Sequence, residues 1–262
     1  MFAMFRVFFV NQWASFLAYR VVFFLYTMWA VLPPLIYLSV WTTIAGGDGV
    51  AGWTRGQFVA YYLIFMVVNH LTGSIEIHTV GYEIQNGDLS ARLLLPVHPG
   101  LRSLASNVGY KAIGIFVLVP TVLLLAAIFR PEFDTTAPMV ALGVVSTLIA
   151  ALLQFLVGYS VALLSFWITR ADAVMQLNSM FLLLLAGQIA PIALLPDGLR
   201  QAANVLPYRY MLSLPVELFT GTLNASAAAA GLGIQCLWLV AAWFLVRAVW
   251  RRGVYHYSAV GG

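Results

Sequence analysis

Apolar residues run in long blocks along this chain, and polar residues gather in short clusters between the blocks. A helix needs about 20 mainly apolar residues to cross about 30 Å of hydrocarbon. Six blocks read as spans: Val21–Ile44, Phe58–Gly73, Leu104–Phe129, Pro138–Ile168, Ala173–Leu195 and Ala227–Trp250. The pattern predicts an all-α polytopic membrane protein with six transmembrane helices in one domain over residues 1–262. Pro33 and Pro34 lie inside the first block and Pro120 inside the third, so kinks are expected there. The second block is short and ends at Asn69-His70.

Three segments fall outside the blocks. Over residues 1–19, Phe5, Phe9, Trp13, Phe16 and Leu17 recur at helical spacing, with Asn11 and Ser15 on another face. That spacing predicts an amphipathic helix lying in the membrane interface. Residues 76–102 hold the most polar stretch, "GYEIQNGDLSARLLLPVHPG" from Gly81 to Gly100. Residues 191–226 are too apolar for a solvated loop. Pro191, Pro196, Pro207 and Pro215 break them too often for a seventh span. A re-entrant or surface-lying hairpin fits, with Asp197 capping a short helix that Pro207 ends near Val205. Such backbone is tolerated at membrane depth only where protein or a water-filled cavity covers it.

Charge gives the orientation. Only 8% of residues are charged, against about 25% in soluble domains, which leaves no room for a soluble catalytic domain. The net charge of +4 would suggest nucleic acid in a soluble protein; here it is the charge that cytoplasmic loops carry, and no nucleic-acid partner is expected. With six spans, Arg6, Arg20, Arg92, Arg102, Lys111, Arg170, Arg247, Arg251 and Arg252 share one side. Arg55, Arg130, Arg200 and Arg209 hold the other, so both termini are expected in the cytoplasm. Lys111, about two turns inside the third span, can snorkel to the inner interface. Arg6, Asn11 and Gln12 interrupt the first apolar stretch, so no cleavable signal peptide is expected. The single cysteine, Cys236, cannot form an internal disulfide and reads as a small buried apolar residue.

Catalytic signatures are absent from the sequence. Lys111 is the only lysine and follows no G-x-x-x-x-G-K-[ST] loop, so the chain does not bind nucleotide in the Walker manner. There is no H-E-x-x-H, no cysteine cluster for zinc and no G-x-S-x-G elbow. His70 and His78 are eight residues apart, a weak metal pair against the commoner reading of histidines at a membrane boundary. N-A-S at Asn224 reads as a chance glycan triplet. No acidic residue lies in the middle of any span, whereas intramembrane carboxylates are the usual mark of proton pathways. Energy for transport must then enter from elsewhere. The polar residues in the spans (Asn69, Gln154, Ser160, Asn178, Gln188 and Gln235) either bond between helices or line a path. Asn69, Gln154, Asn178 and Gln188 are the candidate translocation-path residues.

The run from Glu83 reads E-I-Q-N-G-D-L-S-A-R-L-L-L-P-V-H-P. It resembles the cytoplasmic segment after the second span in ABC transporter permeases of the ABC-2 type, E-I-x-x-G-x-L-x-x-x-L-L-x-P-V-x-P, through Glu83, Gly87, Leu89, Leu93, Leu94, Pro96, Val97 and Pro99. "LLPDGLRQAANVLPYRYMLSLPVELFTG" and the basic tail "RRGVYHYSAVGG" are similar to the same family. Order and spacing extend the resemblance over nearly the whole chain.

The resemblance implies an ABC-2 exporter fold in a bacterial inner membrane, with a cytoplasmic coupling helix between spans two and three and an outer re-entrant hairpin. It implies half of a permease dimer, paired with an identical or related permease. Two separate ABC ATPase subunits would bind ATP and Mg, with no cofactor in this chain. Residues 76–92 would be the lever: Glu76, Glu83, Gln85, Asp88 and Arg92 would face the ATPase. Ile77, Ile84 and Leu89, with Val80 nearby, would lie on membrane lipid. Pro96 and Pro99 would end the lever and turn the chain into span three. A secondary transporter or channel not driven by ATP is the alternative, weakened by the missing carboxylates. A membrane-embedded enzyme or scaffold lacks any paired catalytic residues. Aromatic content does not separate drug, lipid and polysaccharide cargo.

Overall fold

A computed structural model describes residues 10, 13–14, 20–47, 49–168 and 172–257. The expected interfacial helix over residues 1–19 lies almost wholly outside these. Among the described residues there is no strand, only helices and turns. In chain order the longer helices are α1 (Arg20–Ala45), α2 (Arg55–Thr72), α3 (Glu76–Gln85), α4 (Leu89–Leu93), α5 (Pro99–Phe129), α6 (Ala137–Leu163) and α7 (Asp172–Leu185). They continue with α8 (Asp197–Val205), α9 (Pro207–Met211), α10 (Ser213–Thr220) and α11 (Ala225–His256).

Local chemistry sets the helix starts. Thr54 Oγ1 accepts from the Gln57 N–H at 3.1 Å while Gln57 Oε1 accepts from the Thr54 N–H at 3.0 Å, a reciprocal cap that opens α2. Pro99 opens α5 with His98 Nδ1 accepting from the Gly100 N–H at 3.1 Å. Asn224 Oδ1 accepts from the Ala227 N–H at 2.9 Å and opens α11, so the N-A-S triplet is a helix cap. Pro33 and Pro34 sit inside α1 without ending it.

Four helical stretches among the described residues are long and apolar enough to cross a membrane: Arg55–Gln85, Pro99–Phe129, Ala137–Phe166 and Ala225–His256. The protein is thus an all-α membrane protein. The block expected to span from Ala173 to Leu195 differs. Helix α7 has 14 residues, about 21 Å at 1.5 Å per residue, short of the hydrocarbon thickness. It ends because Gly187 takes a left-handed conformation, φ +78°, which glycine alone adopts without strain.

The bundle is built around α6, which packs against α2, α3, α10 and α11. Helix α2 is buried on nearly every side: Phe58, Tyr61, Tyr62, Phe65 and Met66 are all enclosed. A helix apolar all round belongs in such a position. Phe116, Leu123, Leu148, Leu237 and Phe244 instead face outward from α5, α6 and α11, as a lipid-facing surface requires. Cys236 is also exposed on α11, correcting its expected burial. Its neighbour Gln235 takes the interior position.

The segment after α2 is not one lever from 76 to 92. It is two helices joined by a turn at Asn86–Asp88, with Gly87 at φ +82°. Its apolar side does not lie on lipid. Ile77, Val80, Ile84 and Leu89 are buried inside the protein, and α3 packs on α6. At the opposite end, α8, α9 and α10 fold back on the bundle, and α10 is enclosed between α2 and α6. Asp197 does not cap α8. It is the first helical residue and ion-pairs with Arg200. Pro207 both ends α8 and starts α9.

Candidate functional site

The most polar of the larger cavities sits among α1, α2, α5 and α6 and has a volume of about 360 Å³. Asn69 and His70 come from α2, Tyr110 from α5, Gln154 from α6, and Gln188 from the turn after α7. Pro33, Pro34 and Tyr37 close it from α1. Three of the four residues expected along a path, Asn69, Gln154 and Gln188, therefore meet in one space. Asn178 does not join them; its Oδ1 accepts from the Tyr208 hydroxyl at 3.2 Å and ties α7 to α9.

His70 is the lining residue that pattern alone did not place. Its Nε2 donates to the Lys111 carbonyl at 3.1 Å, so Nδ1 is a bare acceptor, buried and unpartnered. Gly114 on α5 makes room for the ring, since a Cβ there would collide with the imidazole. The Gln154 Oε1 is likewise buried without a partner. Two unpaired acceptors beside a ligand-sized void suit a hydrogen-bonding occupant such as water or a polar cargo group. His70 and His78 do not form a metal pair, because His78 is exposed on α3 while His70 is enclosed. Among the described residues no group of three metal-ligating side chains gathers.

Below this cavity the α2–α3 junction is fixed to α5. Asn107 Nδ2 donates to the Glu76 Oε2 at 2.9 Å and to the Gly73 carbonyl at 3.1 Å, and Ser74 Oγ donates to the same carboxylate at 3.0 Å. Lys111 lies within electrostatic reach of Glu76. Glu76 is 1% exposed, which corrects its assignment to a partner-facing surface: it is an internal strut. Glu83 is half-buried and ion-pairs with Arg92, closing α4 back onto α3. Gln85 is half-buried, and Asp88 is exposed in the turn. The outward face of this segment is His78, Thr79, Tyr82, Asn86 and Asp88, followed by Leu93, Leu94 and Leu95. Tyr82 is half exposed and Leu94 almost fully so; Leu94 belongs to the leucine pair of the motif, whereas nothing in the sequence singles out Tyr82.

At the opposite end the turn after α7 is held by rings. The Tyr61 hydroxyl donates to the Gly187 carbonyl at 2.9 Å. The Tyr62 hydroxyl and the Trp41 indole both donate to the Ile189 carbonyl at 2.7 Å. Arg209 of α9 pairs with Glu217 of α10 at 2.7 Å, and Ser213 Oγ donates to the same carboxylate at 2.8 Å. Gln235 donates to the Ser146 and Tyr210 carbonyls at 3.0 and 2.8 Å and accepts from Ser146 Oγ at 3.1 Å. It is an interhelical connector. Ser160 bonds back to the Leu156 carbonyl of its own helix.

A family model described as "ABC-2 family transporter protein" matches residues 28–261. No curated protein matches the chain.

Proposed function

Because the chain belongs to the ABC-2 transporter family, we propose that it is the membrane-spanning permease subunit of an ATP-driven exporter, paired with a second permease chain and coupled to separate ATPase subunits. The observation that carries this reading is the segment Glu76–Leu93. Its apolar side is locked into α6 and its Glu76 into α5, while Tyr82, Asn86 and Asp88 stand outward. A partner pushing on that face moves α5 and α6 as well, because no flexible linker intervenes.

In this reading α1 and α7 complete six spans, with both termini in the cytoplasm of a bacterial inner membrane. The short α7 reaches the outer face through the turn at Gly187 and the ring-held loop after it. Helices α8–α10 form the outer re-entrant segment, whose polar backbone is covered by α2, α6 and α11. ATP and Mg bind in the partner. The cavity at Asn69, His70, Gln154 and Gln188 belongs to the path, facing a second permease chain across α1. ATP hydrolysis by the partner subunit is expected to rise when this chain is co-reconstituted in vesicles. Solute flux through this chain alone without ATP would contradict the reading and favour a secondary transporter.

A further inference from the structure

A second cavity, of about 580 Å³, opens between α5, α6 and α11 at the α3 end of the bundle. That volume is ligand-sized. Its lining changes character along the helices. Leu104, Leu152 and Trp243 form the deeper part; His98, Gly100, Tyr159 and Trp250 form the part near the helix ends, with Arg247 between.

The polar end is incompletely satisfied. Tyr159 is 2% exposed, and its hydroxyl has no hydrogen-bond partner. It sits beside Gly100, the second residue of α5, where the helix dipole places a partial positive charge. Arg247 stacks over Trp243 at 4.9 Å, and among the described residues no carboxylate pairs with it. His98 packs against Trp250 with tilted rings, 4.6 Å between centroids. Partial desolvation holds the His98 ring below the ordinary histidine range, although the residue keeps an exposed edge. With Nδ1 accepting from Gly100, its Nε2 carries the proton as a donor. Arg102 is exposed one turn into α5, and Arg92 lies within electrostatic reach of Tyr159. Donors and positive charge thus gather at one end, and apolar surface continues from them along the spans.

We propose that this groove binds one anionic phospholipid of the cytoplasmic leaflet, its phosphate taken by Arg247 and by the Tyr159 hydroxyl beside the start of α5, and an acyl chain running along Leu104, Leu152 and Trp243. Charge complementarity selects this occupant. A zwitterionic lipid brings a headgroup cation that Arg247, Arg102 and Arg92 repel, and a water-soluble partner cannot follow the groove along the lipid-facing helices. The leaflet rests on the orientation proposed above, whereas the binding itself does not depend on an ATPase partner.

The test is native mass spectrometry of the purified, delipidated full chain with equal phosphatidylglycerol and phosphatidylcholine. The wild type is expected to retain one phosphatidylglycerol in preference to phosphatidylcholine. Arg247→Gln is expected to weaken that retention about tenfold, the scale of a hydrogen bond to a charged group, and Tyr159→Phe about fivefold. Arg251→Gln, on the same helix but outside the groove, is expected to leave it unchanged. Equal retention of both lipids, undiminished phosphatidylglycerol in Arg247→Gln, or an equal loss in Arg251→Gln would overturn the proposal. So would loss of a dimer in Arg247→Gln with lipid retained, which would assign the groove to a second copy of the chain.

Discussion

Asn107 and Glu76 lie 31 residues apart in sequence and 2.9 Å apart in space, both enclosed by the bundle. This bond joins the start of α3 to the middle of the first half of α5. The carboxylate also holds Ser74, so the α2–α3 connection, α3 and α5 meet on one side chain. Asn107→Leu removes two donated bonds and leaves the carboxylate short of partners. It is expected to lower stability by about 2–3 kcal/mol, read as an earlier midpoint in thermal unfolding of the detergent-solubilised chain. An unchanged midpoint would show that the junction is held by apolar contacts alone.

The outer segment makes a second prediction. Arg209 and Glu217 are partly buried, so removing one partner strands the other. Glu217→Ala is expected to cost about 2–3 kcal/mol, while the paired replacement Arg209→Met with Glu217→Leu is expected to recover most of it. The same unfolding measurement separates the outcomes: equal loss in the single and paired variants would show that the ion pair is not what holds α9 to α10.

The turn after α7 makes a third. Gly187→Ala meets two penalties, a left-handed backbone costing about 1–2 kcal/mol and a Cβ that collides with the Tyr61 hydroxyl. Tyr61→Phe removes only one bond, about 1 kcal/mol. The glycine variant is therefore expected to be the more damaging, to stability and to delivery to the membrane. The reverse order would contradict the ring-held turn.

The cavity makes a fourth. Gln154→Leu removes an acceptor that has no partner, so stability should stay within about 0.5 kcal/mol. Transport-linked ATP hydrolysis should nevertheless fall, because the polar lining is interrupted. A stable variant with unaltered hydrolysis would take Gln154 out of the path.

Much of this architecture is legible in the residues. The apolar run from Leu104 marks most of α5, which begins earlier, at Pro99, and Gln235 announces itself as a polar connector in an otherwise apolar helix. The end of α7 is not legible, because in "LLLLAGQIA" only Gly187 and Gln188 interrupt an apolar run that resumes after the break. Only the rings of Tyr61, Tyr62 and Trp41, distant in sequence, show why the chain turns there. Glu76 misleads for the same reason. A carboxylate beside polar residues reads as exposed until Asn107 arrives from another helix. Asn69, Gln154 and Gln188 were recognisable as polar residues in apolar blocks, but their convergence needed the fold, and His70 entered the cavity only through the space left by Gly114.

The outward face of α3 and its following turn carries the central claim. Affinity purification of the tagged chain from its native membrane, with the co-purifying proteins identified and counted, tests it most directly. The account predicts that an ATPase subunit bearing a Walker loop accompanies the wild-type chain, and that Tyr82→Ala with Asp88→Arg releases it while the permease itself remains folded. Purification of the wild type without such a subunit, or full retention of it by the double variant with ATP hydrolysis still coupled, would contradict the account.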